Sequence, residues 1–201
     1  MMKKWIFLAA WMPIMITLGC GELGKVEQGR VVAFDKAKRT VTFIADKNAD
    51  SQNPDYSVLP PLTFTLPDDP NEIGPEPKVG LRMKLDLKNK QVVIFDPTGP
   101  GFKNIPITVV EEKKILDSED PLVFDKVTRK PKIFPLVDRI GKTVTLYSKR
   151  QKTLITFSVP EEYLNLPDQA WDAGDEVRIY YKEKGKALRF MNVTKTDIFK
   201  K

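Results

Sequence analysis

The residue types that carry most enzyme chemistry are sparse in this chain. Among its 201 residues there is no histidine and a single cysteine, Cys20. Ser–His and Cys–His nucleophile pairs, covalently attached haem and tetrahedral zinc sites all draw on those two residue types, and a disulfide needs two cysteines. Carboxylates, lysines and tyrosines are what is left for chemistry. Asp46, Asn48 and Asp50 place oxygen ligands at alternate positions, the pattern of a loose calcium loop. An EF-hand would want glycine at Ser51 and glutamate at Ser57, so a polar hairpin insertion competes with a weak calcium site as the reading. Asp68-Asp69 and Glu161-Glu162 follow Pro67 and Pro160. Paired carboxylates can hydrolyse glycosides, but the same pair at two matching places points to a corner device. The cluster Asp117-Ser118-Glu119-Asp120 reads as a solvated turn. No cofactor is expected beyond the weak possibility of calcium, and the protein is expected not to be an enzyme.

Cations gather in the turns. Lys126, Arg129 and Lys130 form one group, Lys149 and Arg150 another. Brought together by the fold, they would make an anion-binding face suited to lipid head groups, cell-wall carboxylates or an acidic protein. Left apart, they are ordinary hairpin tips, where lysine also discourages edge pairing. Trp171 precedes Gly174 in a loop-like stretch and is either a contact residue or a core plug.

The elements that must position these residues are strands. After Cys20, short alternating or β-branched runs are separated by turns rich in Pro, Asn, Asp and Lys, the signature of an all-β sandwich or barrel. The best helical candidate, Glu161–Ala170, is interrupted by Pro167 and has room for one turn at most. The runs recur in order. Val32–Lys36 is echoed by Leu122–Lys126, Thr40–Phe43 by Thr143–Leu146, and Leu62–Asp69 by Ile155–Glu162. Gly80–Leu85 is echoed by Gly174–Ile179, and Val92–Phe95 by Ala187–Phe190. Two tandem five-stranded units result, each resembling a small OB-like or SH3-like barrel. Their expected boundaries are 29–96 and 105–201, joined by a turn-rich linker at 97–104, with an extra strand within 105–116. Gly80 and Gly174 precede the fourth strand of each unit, where a positive φ is expected.

The chain opens with Lys3-Lys4, an apolar run from Trp5 to Leu18, and Gly19-Cys20-Gly21. A basic start, a short apolar stretch containing Pro13 and a small residue at the cut site describe a secretory leader over 1–19 better than a membrane span of about 20 residues. Thr17-Leu18-Gly19-Cys20 resembles the lipobox of bacterial lipoproteins, with threonine where leucine is usual. That resemblance implies acylation of Cys20, a palmitate-type membrane anchor, a tether over 20–28 and a cell-envelope location. Gly21, in place of aspartate, favours the outer membrane if the host has two. Phe34-Asp35-Lys36, Phe124-Asp125-Lys126 and the two Pro-acid-acid corners look like a family of uncharacterised lipoproteins of sulfate-reducing bacteria, a domain of unknown function. The formal charge of +6 falls by two if Lys3 and Lys4 leave with the leader, a modest excess. Export makes nucleic acid an unsuitable partner, and an envelope protein the expected one. The function expected is a membrane-anchored binding, accessory or assembly module. A calcium- or carbohydrate-binding surface protein comes second and a carboxylate hydrolase last.

Overall fold

A computed structural model describes residues 23–48, 53–99 and 101–196. Cys20, Asp50 and the leader lie outside the described residues, and among those described no helix is long and apolar enough to cross a membrane. The chain is all-β. In order its strands are β1 (Lys25–Asp35), β2 (Thr40–Ala45), β3 (Leu62–Thr65), β4 (Arg82–Asp86), β5 (Gln91–Asp96), β6 (Gly101–Pro106) and β7 (Thr108–Lys114). There follow β8 (Phe124–Asp125), β9 (Lys130–Pro131), β10 (Leu136–Asp138), β11 (Thr143–Ser148), β12 (Thr153–Ser158), β13 (Glu176–Tyr181) and β14 (Ala187–Asn192). Two single-turn helices, α1 (Glu161–Leu164) and α2 (Asp168–Trp171), flank Pro167.

Alternation produces these strands. β12 reads Thr-Leu-Ile-Thr-Phe-Ser with Thr153, Ile155 and Phe157 buried and their neighbours half exposed, which is the period of two that a sheet with one covered face requires. The tight turns share a device that the sequence reading missed. Arg39, Lys90, Arg129 and Lys142 each stand four residues after an aspartate, and each has a φ of 51–54°. In each turn that aspartate (Asp35, Asp86, Asp125 or Asp138) accepts the N–H three residues on, at 2.8–3.3 Å. Ser148 and Lys152 repeat the arrangement, with Ser148 Oγ accepting at 3.3 Å. A side-chain acceptor at the first position folds the turn, and the left-handed residue matches its twist to the strands.

Gly80 and Gly174 were expected at positive φ; instead they serve close backbone approach. A Cβ on Gly80 would lie 2.4 Å from Gly174 N, and one on Gly174 would lie 1.9 Å from Val31 O. Here the two chain halves cross. The sheet β14-β13-β1-β2-β3 completes the first three strands with the last hairpin of the chain. The first half's own last hairpin, β4–β5, joins β11 and β12 around a second core of Leu85, Val92, Ile94, Ile105, Val144, Leu146, Ile155, Phe157 and Trp171. The strands therefore do not sort into the tandem units 29–96 and 105–201: each half gives its closing hairpin to the other. The stretch expected as a linker at 97–104 becomes a turn running into β6. No closed barrel forms; the five-stranded sheet curls until Thr65 N–H and Oγ1 reach Gly185 O at 2.8 and 3.2 Å, an isolated bridge rather than a ladder.

The repeat itself is present in the strand registers. Thr40↔Thr65 and Val41↔Phe64 correspond to Thr143↔Ser158 and Val144↔Phe157. Thr42 and Thr63 share a hydroxyl bond of 2.9 Å, and Thr145 and Thr156 one of 2.8 Å. The counterpart of Asp35 is Asp138, however, since Asp35↔Thr40 matches Asp138↔Thr143. Leu122–Lys126, which echoes Val32–Lys36 in sequence, instead enters the small β8–β9 ribbon.

Candidate functional site

Between the two cores the chain leaves a cleft of about 1740 Å³. One wall is β4, from Arg82 to Leu85; another is 130–135 together with Tyr147–Gln151, tied to the first by Gln151 Nε2 donating to Leu85 O at 3.0 Å; Trp171 and Gly174 also line the cleft. A third apolar cluster, Val32, Ile44, Tyr56, Met83 and Phe95, joins β1 and β2 to β4 and β5 and fixes one wall.

Cations dominate the lining. Arg30 is 8% exposed. Its Nη1 donates to Arg82 O at 3.2 Å and Met83 O at 2.8 Å, and its guanidinium carbon lies 4.3 Å from the Tyr56 ring centroid. Arg82 Nε donates to Trp171 O at 2.9 Å. Lys130, Lys132, Lys149 and Arg150 line the same cleft and are exposed. Among the described residues, none of these six cations has a carboxylate within salt-bridge distance. Asp55, Asp172, Asp175 and Glu176 also line the cleft. Asp172 pairs with Lys78 at 2.9 Å, and buried Asp175 accepts from Lys78 N–H at 2.8 Å and Asn192 Nδ2 at 2.9 Å.

Crowding shows in the protonation equilibria. Burial, then the charges of Arg30 and Arg150, pull the Arg82 guanidinium down to about 10 against the opposing pull of Asp172. Arg30 is lowered chiefly by burial, with Arg150 adding to it and Tyr56 opposing; burial pushes the Tyr56 phenol up. Cations crowded together, and opposed only at a distance by Asp172 and Glu176, favour an anion that enters. Two buried donors, Arg30 Nε and Trp171 Nε1, and the Tyr56 hydroxyl have no hydrogen-bond partner among the described residues; all three residues border the cleft, Trp171 with its ring in the core.

Of the basic residues singled out in the sequence, Lys130, Lys149 and Arg150 come together here. Lys126 and Arg129 do not; they sit exposed on the tip of the β8–β9 ribbon. Of the two roles open to Trp171, contact residue or core plug, the structure gives the core plug. It is fully buried and meets Phe157 edge-on at 6.2 Å, because α2 turns its ring under the β11–β12 sheet. Arg30 and Arg82 were missed by the sequence reading. Each stands within a strand of mixed charge, β1 or β4, and no run of like charge marks either.

The other sites resolve into local roles. Asp46 Oδ1 accepts the N–H groups of Asn48 and Asp55 at 3.1 and 2.7 Å, and Asn48 Nδ2 donates to Asn53 O. Asp50 lies outside the described residues. Among those described, no group of three or more His, Cys, Asp or Glu is placed to hold a metal ion. Asp69 caps a 3₁₀ turn through Asn71 N–H at 2.9 Å, and Glu161 pairs with Lys142 at 3.2 Å. A smaller hollow of about 430 Å³ beside Phe34 and Phe190 has its cations already engaged: Lys36 with Glu76 at 3.0 Å, Arg39 with Pro67 O.

The family described as Domain of unknown function (DUF4881) matches residues 22–201. The chain belongs to that family. The match spans both β units and the cleft between them, so the crossed architecture coincides with the family's domain. No curated protein and no solved structure matches the chain.

Proposed function

We propose that this chain is a lipid-anchored, non-enzymatic binding module of the cell envelope whose contact site is the cationic cleft. The observation that carries the reading is the convergence of Arg30, Arg82, Lys130, Lys132, Lys149 and Arg150 on one cleft, none of them in a salt bridge among the described residues. Evenly mixed surface charge serves solubility, whereas an uncompensated cluster with buried members costs stability unless something uses it. The lipobox-like Thr17–Cys20 supports anchoring, and two or more acyl chains would make it stable. The lack of histidine supports contact rather than catalysis. A lipid tether also gives the cleft a high effective concentration toward anything fixed to the same envelope.

The test is crosslinking in intact cells, then affinity capture from detergent and mass spectrometry, with wild type and a Lys130→Glu/Arg150→Glu variant. Recovery of a defined acidic envelope component in proportion to the bait, lost in the variant, is the expected result. Equal recovery by both proteins would remove the cleft from the proposal.

A further inference from the structure

The two halves repeat several registers; apart from β6 and β7, which add to β5 and β12 and have no counterpart in the first unit, they differ at the cleft. In the first unit the Lys25–Arg30 stretch of β1 pairs with β13, from Lys25↔Tyr181 to Arg30↔Glu176. The correspondence of Asp35–Thr40 with Asp138–Thr143 makes residues 128–133 the counterpart of that stretch. β4 is likewise the counterpart of β13, through Gly80 and Gly174. The counterpart pairing is absent. Residues 128–131 fold away into the β8–β9 ribbon, β10 keeps only Leu136–Asp138, and β4 pairs with β5 alone. β4 and 130–135 instead both line the cleft, as separate walls.

We infer that this gap is an unfilled strand position that accepts an extended acidic segment of a partner protein. This rests on the reading of the cleft as the contact site and names its ligand. Size favours a chain over a small anion: the cleft holds about 1740 Å³, whereas small-molecule sites run to about 300–1,000 Å³. Charge favours an acidic one, because the unpaired cations stand on both walls. Side-chain recognition dominates over ladder pairing. The carbonyls of Arg82 and Met83 are already held by Arg30 Nη1, and that of Leu85 by Gln151 Nε2 at 3.0 Å. The edge of β4 is thus covered by side chains where its counterpart is covered by a strand, and an entering segment is held through its carboxylates.

The experiment uses the full chain in detergent. A rhodamine-labelled peptide of alternating Glu and Thr, about ten residues long, matches a long strand. A Lys-Thr peptide, inorganic phosphate, a sulfated oligosaccharide and vesicles of anionic phospholipid are compared with it. Expected are saturable binding of the Glu-Thr peptide alone and a loss of at least about tenfold in Lys130→Glu/Arg150→Glu. Lys126→Glu/Arg129→Glu, at the ribbon tip, should change affinity by less than about twofold. Carbodiimide coupling of the bound peptide should mark Lys84 on one wall and Lys130, Lys132 or Lys149 on the other. Phosphate, oligosaccharide or vesicles binding in the peptide's place, with the same sensitivity to Arg150, overturns the inference and leaves the anionic contact site standing. Binding of no anionic probe, or binding indifferent to Lys130 and Arg150, overturns both. Coupling confined to lysines outside the cleft overturns the strand position.

Discussion

Replacing Gly174 with alanine tests the crossing on which the fold depends. Its Cβ would lie 1.9 Å from Val31 O, about 1 Å inside the 3.0 Å below which such contacts essentially never occur. The obstacle is backbone, so it cannot swing aside. β1 must retreat, and two bonds are then lost: Val31 N–H to Asp175 O at 2.9 Å and Gly80 N–H to Val31 O at 3.2 Å. At about 1 kcal/mol each, with about 1–3 kcal/mol for overpacking, the loss is about 3–5 kcal/mol. Reduced freedom of the unfolded chain returns about 0.4–1 kcal/mol, leaving roughly 2–5. That is a large share of a typical 5–15 kcal/mol domain stability. In urea, with m about 2 kcal/mol/M, the midpoint should fall by about 1–2.5 M at unchanged m. Gly141→Ala is the control: its Cβ would meet Asp138 Oδ2 at 2.5 Å, a side-chain end that can rotate at the expense of the exposed turn bonds on Oδ1 rather than fixed backbone, so its cost should stay below that of Gly174→Ala. A Gly174→Ala midpoint no lower than that of Gly141→Ala would refute the close crossing.

Cutting the backbone between Thr98 and Gly99 should give two fragments that fold only together and co-purify one to one; independently folded, non-associating halves would contradict the exchanged hairpins. Stability should be flat above about pH 5 and fall from about pH 4 to about 2. Asn89 beside Asp86, and Lys103 then Thr98 beside Asp96, hold both carboxyls at about 2 in the folded chain. Folded-state values below the unfolded ones mean stability present at higher pH and lost as protons bind. Acid titration of Asp86→Asn and Asp96→Asn, monitored by circular dichroism, should show a shallower decline. Trp171→Ala should cost about 3–5 kcal/mol by urea unfolding, while Trp171→Phe, if folded, should leave partner capture unchanged. Cys20→Ser should abolish incorporation of labelled palmitate and release the chain from membranes; retained label would disprove anchoring at that residue. Calcium to millimolar levels should leave the melting temperature unmoved, because Asp46 Oδ1 already accepts two backbone N–H groups.

The sequence alone determined the all-β class and much of the local pairing. Thr40–Phe43 and Thr143–Leu146 carry the alternation that buries Val41, Phe43, Val144 and Leu146, and their matching neighbours set matching registers. It also brought Lys130, Lys149 and Arg150 under suspicion as a group. It misplaced the start of the second repeat for a physical reason. The turn of aspartate followed four residues later by lysine or arginine occurs at Asp35, Asp86, Asp125 and Asp138, so a local match is available out of phase. Only the tertiary structure decided whose hairpin completes which sheet. A strand's alternation states that one face must be covered and its edges paired, but says nothing of which partner does so, and the equivalent hairpins β4–β5 and β13–β14 suit either unit. The exchange then placed Arg30 of β1 beside Arg82 of β4, 52 residues away, and opened the cleft between them. That site exists only in three dimensions, because its charges reinforce one another through space and are dispersed along the chain.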